Sequence, residues 1–168
     1  MIPEIVTDRL RLRGPRPADI PHCVAFWASD RSRFMGGPRT TARAWEDYAA
    51  SFGSWLLAGF GYWAIEMRDT PSFLGMIGFA HPPHFPEPEI GWALLDHAEG
   101  QGFAFEAGQA ALAWGRANLR LPSLVSYMDP DNHRSRRLAE RLGAWPDPFA
   151  TPEEPGDLVM RHPFEGAR

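Results

Sequence analysis

The 168 residues contain a single cysteine, Cys23, so no disulfide can form within the chain. That suits a reducing compartment and leads to the expectation of a cytoplasmic protein. No apolar run approaches the ~20 residues of a membrane-crossing helix, and the first residues lack the apolar core of a signal peptide. The formal net charge of −4 argues against a nucleic-acid surface, although local basic patches remain compatible with it. Neither nucleic acid nor a membrane is expected as a partner.

The composition is otherwise that of a globular domain, with 44% hydrophobic and 23% charged residues. The length predicts one domain, 1–168, in which about 70% of the unfolded surface can be buried. Seventeen prolines and seven tryptophans are many for such a chain. The prolines gather at Pro15/Pro17/Pro21, Pro82/Pro83/Pro86/Pro88, Pro146/Pro148 and Pro152/Pro155, where they mark element boundaries and stiff loops. There is no internal repeat.

Alternation over Thr7–Arg13 predicts a half-exposed strand, and Pro17–Trp27 a short helix with an early proline and acid. Thr41–Ala58 predicts an amphipathic helix carrying Trp45, Tyr48, Phe52, Trp55 and Leu56 on one stripe, ended by Gly59 and Gly61. Segments 61–67 and 72–79 form a hairpin around Arg68-Asp69-Thr70-Pro71. Strands follow at 89–95, 123–128 and near 157–161, with helices at about 101–118 and 132–142. The order β-α-α-β-β-β-α-β-α-β predicts an α+β, or mixed α/β, domain with a mostly antiparallel sheet and about four helices.

Glu99-Gly100-Gln101-Gly102-Phe103-Ala104 is the most informative stretch. Two glycines between a strand and a helix start make an anion site, because backbone N–H groups point outward there and the helix dipole favours negative charge. A glycine turn that merely caps the helix is the plainer alternative. Position 105, where a dinucleotide fingerprint carries its third glycine or alanine, is Phe105, and no P-loop Lys-Ser/Thr pair follows. Cys23 lies among apolar neighbours with no partner base nearby and reads as core. His81 and His84 stand in a proline-stiffened loop without a third ligand close by, so no metal site is expected.

The pattern resembles the GNAT superfamily of acyl-CoA-dependent N-acyltransferases, and most of all the branch that includes ribosomal-protein N-terminal (Rim-type) acetyltransferases. Thr7–Arg13 is similar to that branch's first strand, Glu89–Leu95 to its central strand, and Gly100–Ala107 to its CoA-pyrophosphate loop and helix. Asn132-His133-Arg134-Ser135 with Leu138, Glu140, Leu142 and Gly143 is similar to the second conserved block, and Leu158–Pro163 to the terminal strand. Two positions depart from the family. Glu99 stands where the loop usually begins with Gln or Arg, and its side chain is expected to turn away from the pyrophosphate. Ala139 stands where many members carry a tyrosine acid for the leaving thiolate.

The resemblance implies acetyl-CoA as cosubstrate and a primary amine as acceptor. The amides of Gln101, Gly102, Phe103 and Ala104, with Gly100, would hold the pyrophosphate, and main chain at Trp92, Ala93, Leu94 and Leu95 would pair with the pantetheine arm as an added strand. Gly91 is where the family splays or bulges this strand, freeing N–H groups for the thioester carbonyl. Glu89 is the candidate base, acting through water, with amine binding or simple solvation as alternative roles. Asn132 would bond a pantetheine amide and Ser135 could meet the leaving sulfur. Arg134, Arg136, Arg137 and Arg141 more often mean a solvated face, yet one of them, Arg137 in the first place, could reach the 3′-phosphate. A protein N-terminus and a small-molecule amine both remain open as acceptors, as do a monomer and a homodimer. The competing class is a noncatalytic acyl-CoA-sensing module on the same fold.

Overall fold

The computed structural model describes residues 1–165, so the last three residues of the expected 1–168 domain lie outside the described residues. Its strands are β1 (Ile5–Val6), β2 (Leu10–Arg13), β3 (Tyr62–Met67), β4 (Phe73–Ala80), β5 (Glu89–Leu94), β6 (Val125–Met128), β7 (Trp145–Pro146) and β8 (Leu158–Arg161). They form one sheet in the order β1-β2-β3-β4-β5-β6-β8-β7. Every neighbouring pair is antiparallel except β5 with β6. Four α-helices accompany the sheet: α1 (Ile20–Trp27), α2 (Thr41–Leu57), α3 (Phe103–Asn118) and α4 (His133–Arg141). The mixed, mostly antiparallel architecture is the expected one. β1 and β7 escape a reading of the sequence because two residues are too few to show alternation.

Residues on β4 alternate between two helical layers. Met76 meets Cys23 of α1, Sγ to Sδ 3.8 Å, whereas Phe79 faces α3 so closely that a Cβ on Gly115 would stand 2.7 Å from its ring. The α3 face holds the main core, where the rings of Trp55, Trp63, Phe79 and Trp114 meet mostly edge to face.

Two expectations about exposure change. Arg13 is buried rather than half-exposed, because its guanidinium bonds Asp19 (2.8 Å to each carboxylate oxygen) and Glu66 (2.7 Å). Buried charges persist only when paired in this way. The α2 stripe also divides. Ala44, Tyr48 and Trp55 turn inward, while Trp45, Phe52 and Leu56 stay exposed on the adjacent strip.

Candidate active site

The anion loop is shaped by glycine. Gly100 and Gly102 have φ of +73° and +80°, left-handed values that cost other residues about 1–2 kcal/mol each. Nothing lies within 4 Å of the point where a Gly100 Cβ would stand. The first bond of α3 runs from Glu106 N–H to Gly102 C=O at 3.1 Å, so the amides before it have no helical partner. The N-terminal segment clamps this turn. Thr7 Oγ1 and Arg9 Nε donate to Glu106 at 2.6 and 2.7 Å, Arg9 Nη1 donates to Gln101 O at 3.0 Å, and the Arg9 guanidinium lies 4.7 Å from the Phe103 ring centroid. Burial pushes the Glu106 carboxyl up, but these hydrogen bonds prevail and hold it below the usual range.

Beside the loop, β5 and β6 pair only at Glu89 and Val125. Beyond that point the strands part, leaving a β5 edge open towards α4. Main-chain groups alternate along this edge. Leu95 N–H bonds back to Leu74 O on the β4 side at 2.8 Å, whereas Ile90 O and Leu94 O turn outward and accept from Ser126 Oγ (2.6 Å) and Arg31 Nη2 (3.4 Å). Of the four residues predicted to pair with a pantetheine arm, Trp92 and Leu94 therefore offer main chain to the open edge. Ala93 and Leu95 offer theirs to β4. Gly91 does not bulge the strand, since the β4–β5 register is unbroken from Gly75–Leu94 to Ala80–Glu89. The opening arises from the divergence of β6.

A cavity of about 70 Å³ lies in this fork, lined by Glu89, Ile90, Trp92, Ser126, Tyr127, Met128, Asn132, Ser135 and, from the α1–α2 connection, Phe34 and Met35. Asn132 and Ser135 thus meet Glu89 across one space. Asn132 Oδ1 caps α4 by accepting from Ser135 N–H at 3.2 Å, leaving its amide nitrogen free to donate, and Ser135 Oγ accepts from Trp92 Nε1 at 3.3 Å. Burial, then the nearby Glu153 charge, push the Glu89 carboxyl up to about 8, while the Tyr127 backbone amide works against them. A far larger cleft of about 720 Å³ lies between Arg116, Trp145, Arg161 and Phe164, away from every candidate residue.

Glu99 does turn to protein partners: its two oxygens pair with Arg31 and Arg134. Arg134, itself exposed, is thereby joined to the start of the anion loop, and Arg137 is exposed on the same helix. Arg136 pairs with Glu140, and Arg141 stacks on Phe105. Cys23 is buried core, its thiol pushed up to about 12 by burial and Asp19, so it offers no thiolate. His84 is exposed and sits 3.8 Å from Glu153. Arg31, which bonds Glu99 and the Leu94 carbonyl, and Glu153, whose charge acts on Glu89, come to this region from distant segments, and nothing local in the sequence marks them.

A forked parallel strand pair, a glycine turn feeding a helix N-terminus, and a capped second helix across the fork make up the candidate site. The family model for the acetyltransferase (GNAT) domain matches residues 9–144, and the chain belongs to that family. An acetyltransferase from Agrobacterium tumefaciens str. C58 superposes with a TM-score of 0.93 and 41% identity, covering 96% of this chain and 95% of its own. The uncharacterized N-acetyltransferase YoaA of Bacillus subtilis (strain 168) is 29% identical over 147 residues, 85% of this chain and 83% of the relative. The ribosomal L7/L12 α-N-protein acetyltransferase RimL, solved in complex with coenzyme A, shares the fold at a TM-score of 0.73 and 16% identity over 94% of each chain. The protein is accordingly an acyltransferase.

Proposed function

We propose that the protein transfers an acetyl group from acetyl-CoA directly to a primary amine, and that the acceptor is the α-amine of a protein N-terminus. The fork between β5 and β6 carries this reading, because its open strand edge runs from the Glu89 carboxyl of raised proton affinity towards the glycine loop that follows β5. The amides of Gln101 to Ala104 would hold the pyrophosphate. Trp92 and Leu94 would pair with the pantetheine arm, and Asn132 Nδ2 would donate to one of its carbonyls.

The amine nitrogen attacks the thioester carbon. The C–N bond forms as the C–S bond breaks, one amine proton passes to Glu89 through water, and the sulfur takes up a proton to leave as free thiol. Ser135, held by Trp92 Nε1, is placed to supply a hydrogen to that sulfur. A base near 8 is matched to an α-amine, whose own pKa is about 8, better than to a lysine near 10.4. The same matching favours a peptide N-terminus over an ordinary alkylamine.

Release of CoA thiol with an Ala-initiated peptide, an alkylamine and spermidine tests the reading. Turnover of the peptide is expected. In Glu89→Gln, kcat/KM should fall about 10²–10⁴-fold near neutral pH, the range of general-base catalysis, and the loss should shrink as pH rises through the amine pKa. A raised KM with unchanged kcat would instead make Glu89 a binder of the cationic acceptor. Acetyl-CoA binding without turnover of any amine would favour a sensing module.

A further inference from the structure

Tyr62 on β3 lies directly opposite Gly78 on β4, and Gly78 directly opposite Gly91 on β5. Side chains at these three positions project from one face of the sheet, the face that also carries Glu89, two residues from Gly91. Because Gly78 and Gly91 contribute no side chain, the Tyr62 ring reaches across β4 to β5. Its hydroxyl stands 2.3 Å from the point where a Gly91 Cβ would be, a position only glycine permits. Glu89 Oε1 lies 3.6 Å from that same point. Among the described residues, Tyr62 Oη makes no hydrogen bond, so the hydroxyl of this half-buried ring stands near the carboxyl without a protein partner. Burial, then the Glu89 and Glu153 charges, hold the phenol well above its usual range, and it keeps its proton at every working pH.

We propose that Tyr62 Oη and Glu89 form a two-oxygen seat for the acceptor nitrogen, with Tyr62 holding the N–H that is not removed. This rests on the acceptor site proposed above. A primary amine brings one lone pair and two N–H groups. The lone pair attacks the thioester carbon, one N–H gives its proton to the Glu89 side, and the other donates to the Tyr62 hydroxyl. The amide produced retains that second N–H on Tyr62. A secondary amine has only one N–H and cannot satisfy both oxygens, so Tyr62 makes the site selective for primary amines. The unmet polar group left behind is what penalises the wrong substrate.

The test is calorimetric titration with three probes: CoA, and two conjugates in which the CoA sulfur is joined through a CH₂–C(O) bridge to n-propylamine or to N-methylpropylamine. The first conjugate keeps the N–H assigned to Tyr62, and the second lacks it. In the wild type the N–H conjugate should bind about fivefold to tenfold more tightly than the N-methyl one, the size of one hydrogen bond. In Tyr62→Phe this preference should vanish while CoA affinity and the melting midpoint stay unchanged. Gly91→Ala, whose methyl would displace the hydroxyl, should erase the preference in the same way. A folded Tyr62→Phe that retains the wild-type preference overturns the proposal, as does a wild type that binds both conjugates equally. Failure of the wild type to bind CoA itself would bring down the cofactor reading as well, and the CoA titration shows that case separately.

Discussion

The two ends of the fork are built by different means. At the α3 end the groups proposed to work are backbone: amides released by a helix start and exposed by two left-handed glycines, with Arg9 and Glu106 fastening the turn from behind. At the Glu89 end the proposed groups are side chains brought from separate segments, Tyr62 from β3 and Glu89 from β5, with Phe34 and Met35 of the α1–α2 connection lining the space and the Glu153 charge nearby. A backbone site is set by local conformation and tolerates changes in neighbouring side chains. A side-chain site depends on long-range register and is free to change substrate one residue at a time.

The largest effect expected from this contrast is at the backbone end. Gly102→Glu forces a side chain into a left-handed position and places a carboxylate where phosphate would sit, so CoA binding in calorimetry should fall below detection. The strain of about 1–2 kcal/mol should leave the protein folded. A folded variant with wild-type affinity would remove the pyrophosphate from residues 100–104. Substituting the exposed Gln101 to Ala should change affinity little, since only its amide is used.

The same contrast governs what was legible in the sequence. The strand–glycine–helix order over 89–118 is a local signal, and it placed β5, the loop and α3 within two residues of their observed bounds. Asn132 and Ser135 were legible as a helix cap, a local device too. The burial of Arg13 was not, because its partners Asp19 and Glu66 come from a later turn and a distant strand. Gly91 was read as the place where the strand splays or bulges; β5 does part from β6 there without a bulge, and a Cβ at Gly91 would meet a hydroxyl arriving from Tyr62, which no window of the sequence shares with it. On α2, helical spacing grouped Trp45 and Phe52 with Trp55, but periodicity does not say which of two adjacent strips the neighbouring elements cover.

An intermediate effect is expected from Glu89 on stability. Its carboxyl binds a proton up to about 8 in the folded state and only to about 4.5 when unfolded. Between those values the folded protein holds the extra proton, so wild-type stability falls as pH rises. Glutamine mimics the protonated acid and has no such slope. Thermal melts of wild type and Glu89→Gln should coincide near pH 5 and separate by pH 8, with the variant higher by about 5 °C or more, given roughly 2–4 °C per kcal/mol for a chain of this size. Parallel melting curves across that range would place Glu89 in water rather than in a closed seat.

The smallest effect concerns Glu99, where side-chain chemistry intrudes on the backbone end. Its carboxylate lies next to the anion loop and holds both Arg31 and Arg134, while Arg31 also bonds Asp96 at 2.7 Å and the outward Leu94 carbonyl. In Glu99→Gln the phosphates lose a like-charged neighbour, and the two guanidinium groups become free to turn towards them. CoA affinity should rise about twofold to fivefold at low ionic strength, since partly exposed charge interactions contribute at most ~1 kcal/mol. The gain should fade in 0.5 M salt, where exposed charges more than a few ångströms apart no longer sense one another. Weaker binding in Glu99→Gln would reverse the assignment. It would mean that the carboxylate orients Arg31 and Arg134 for the phosphates, so that this acid serves the loop through its partners rather than opposing it.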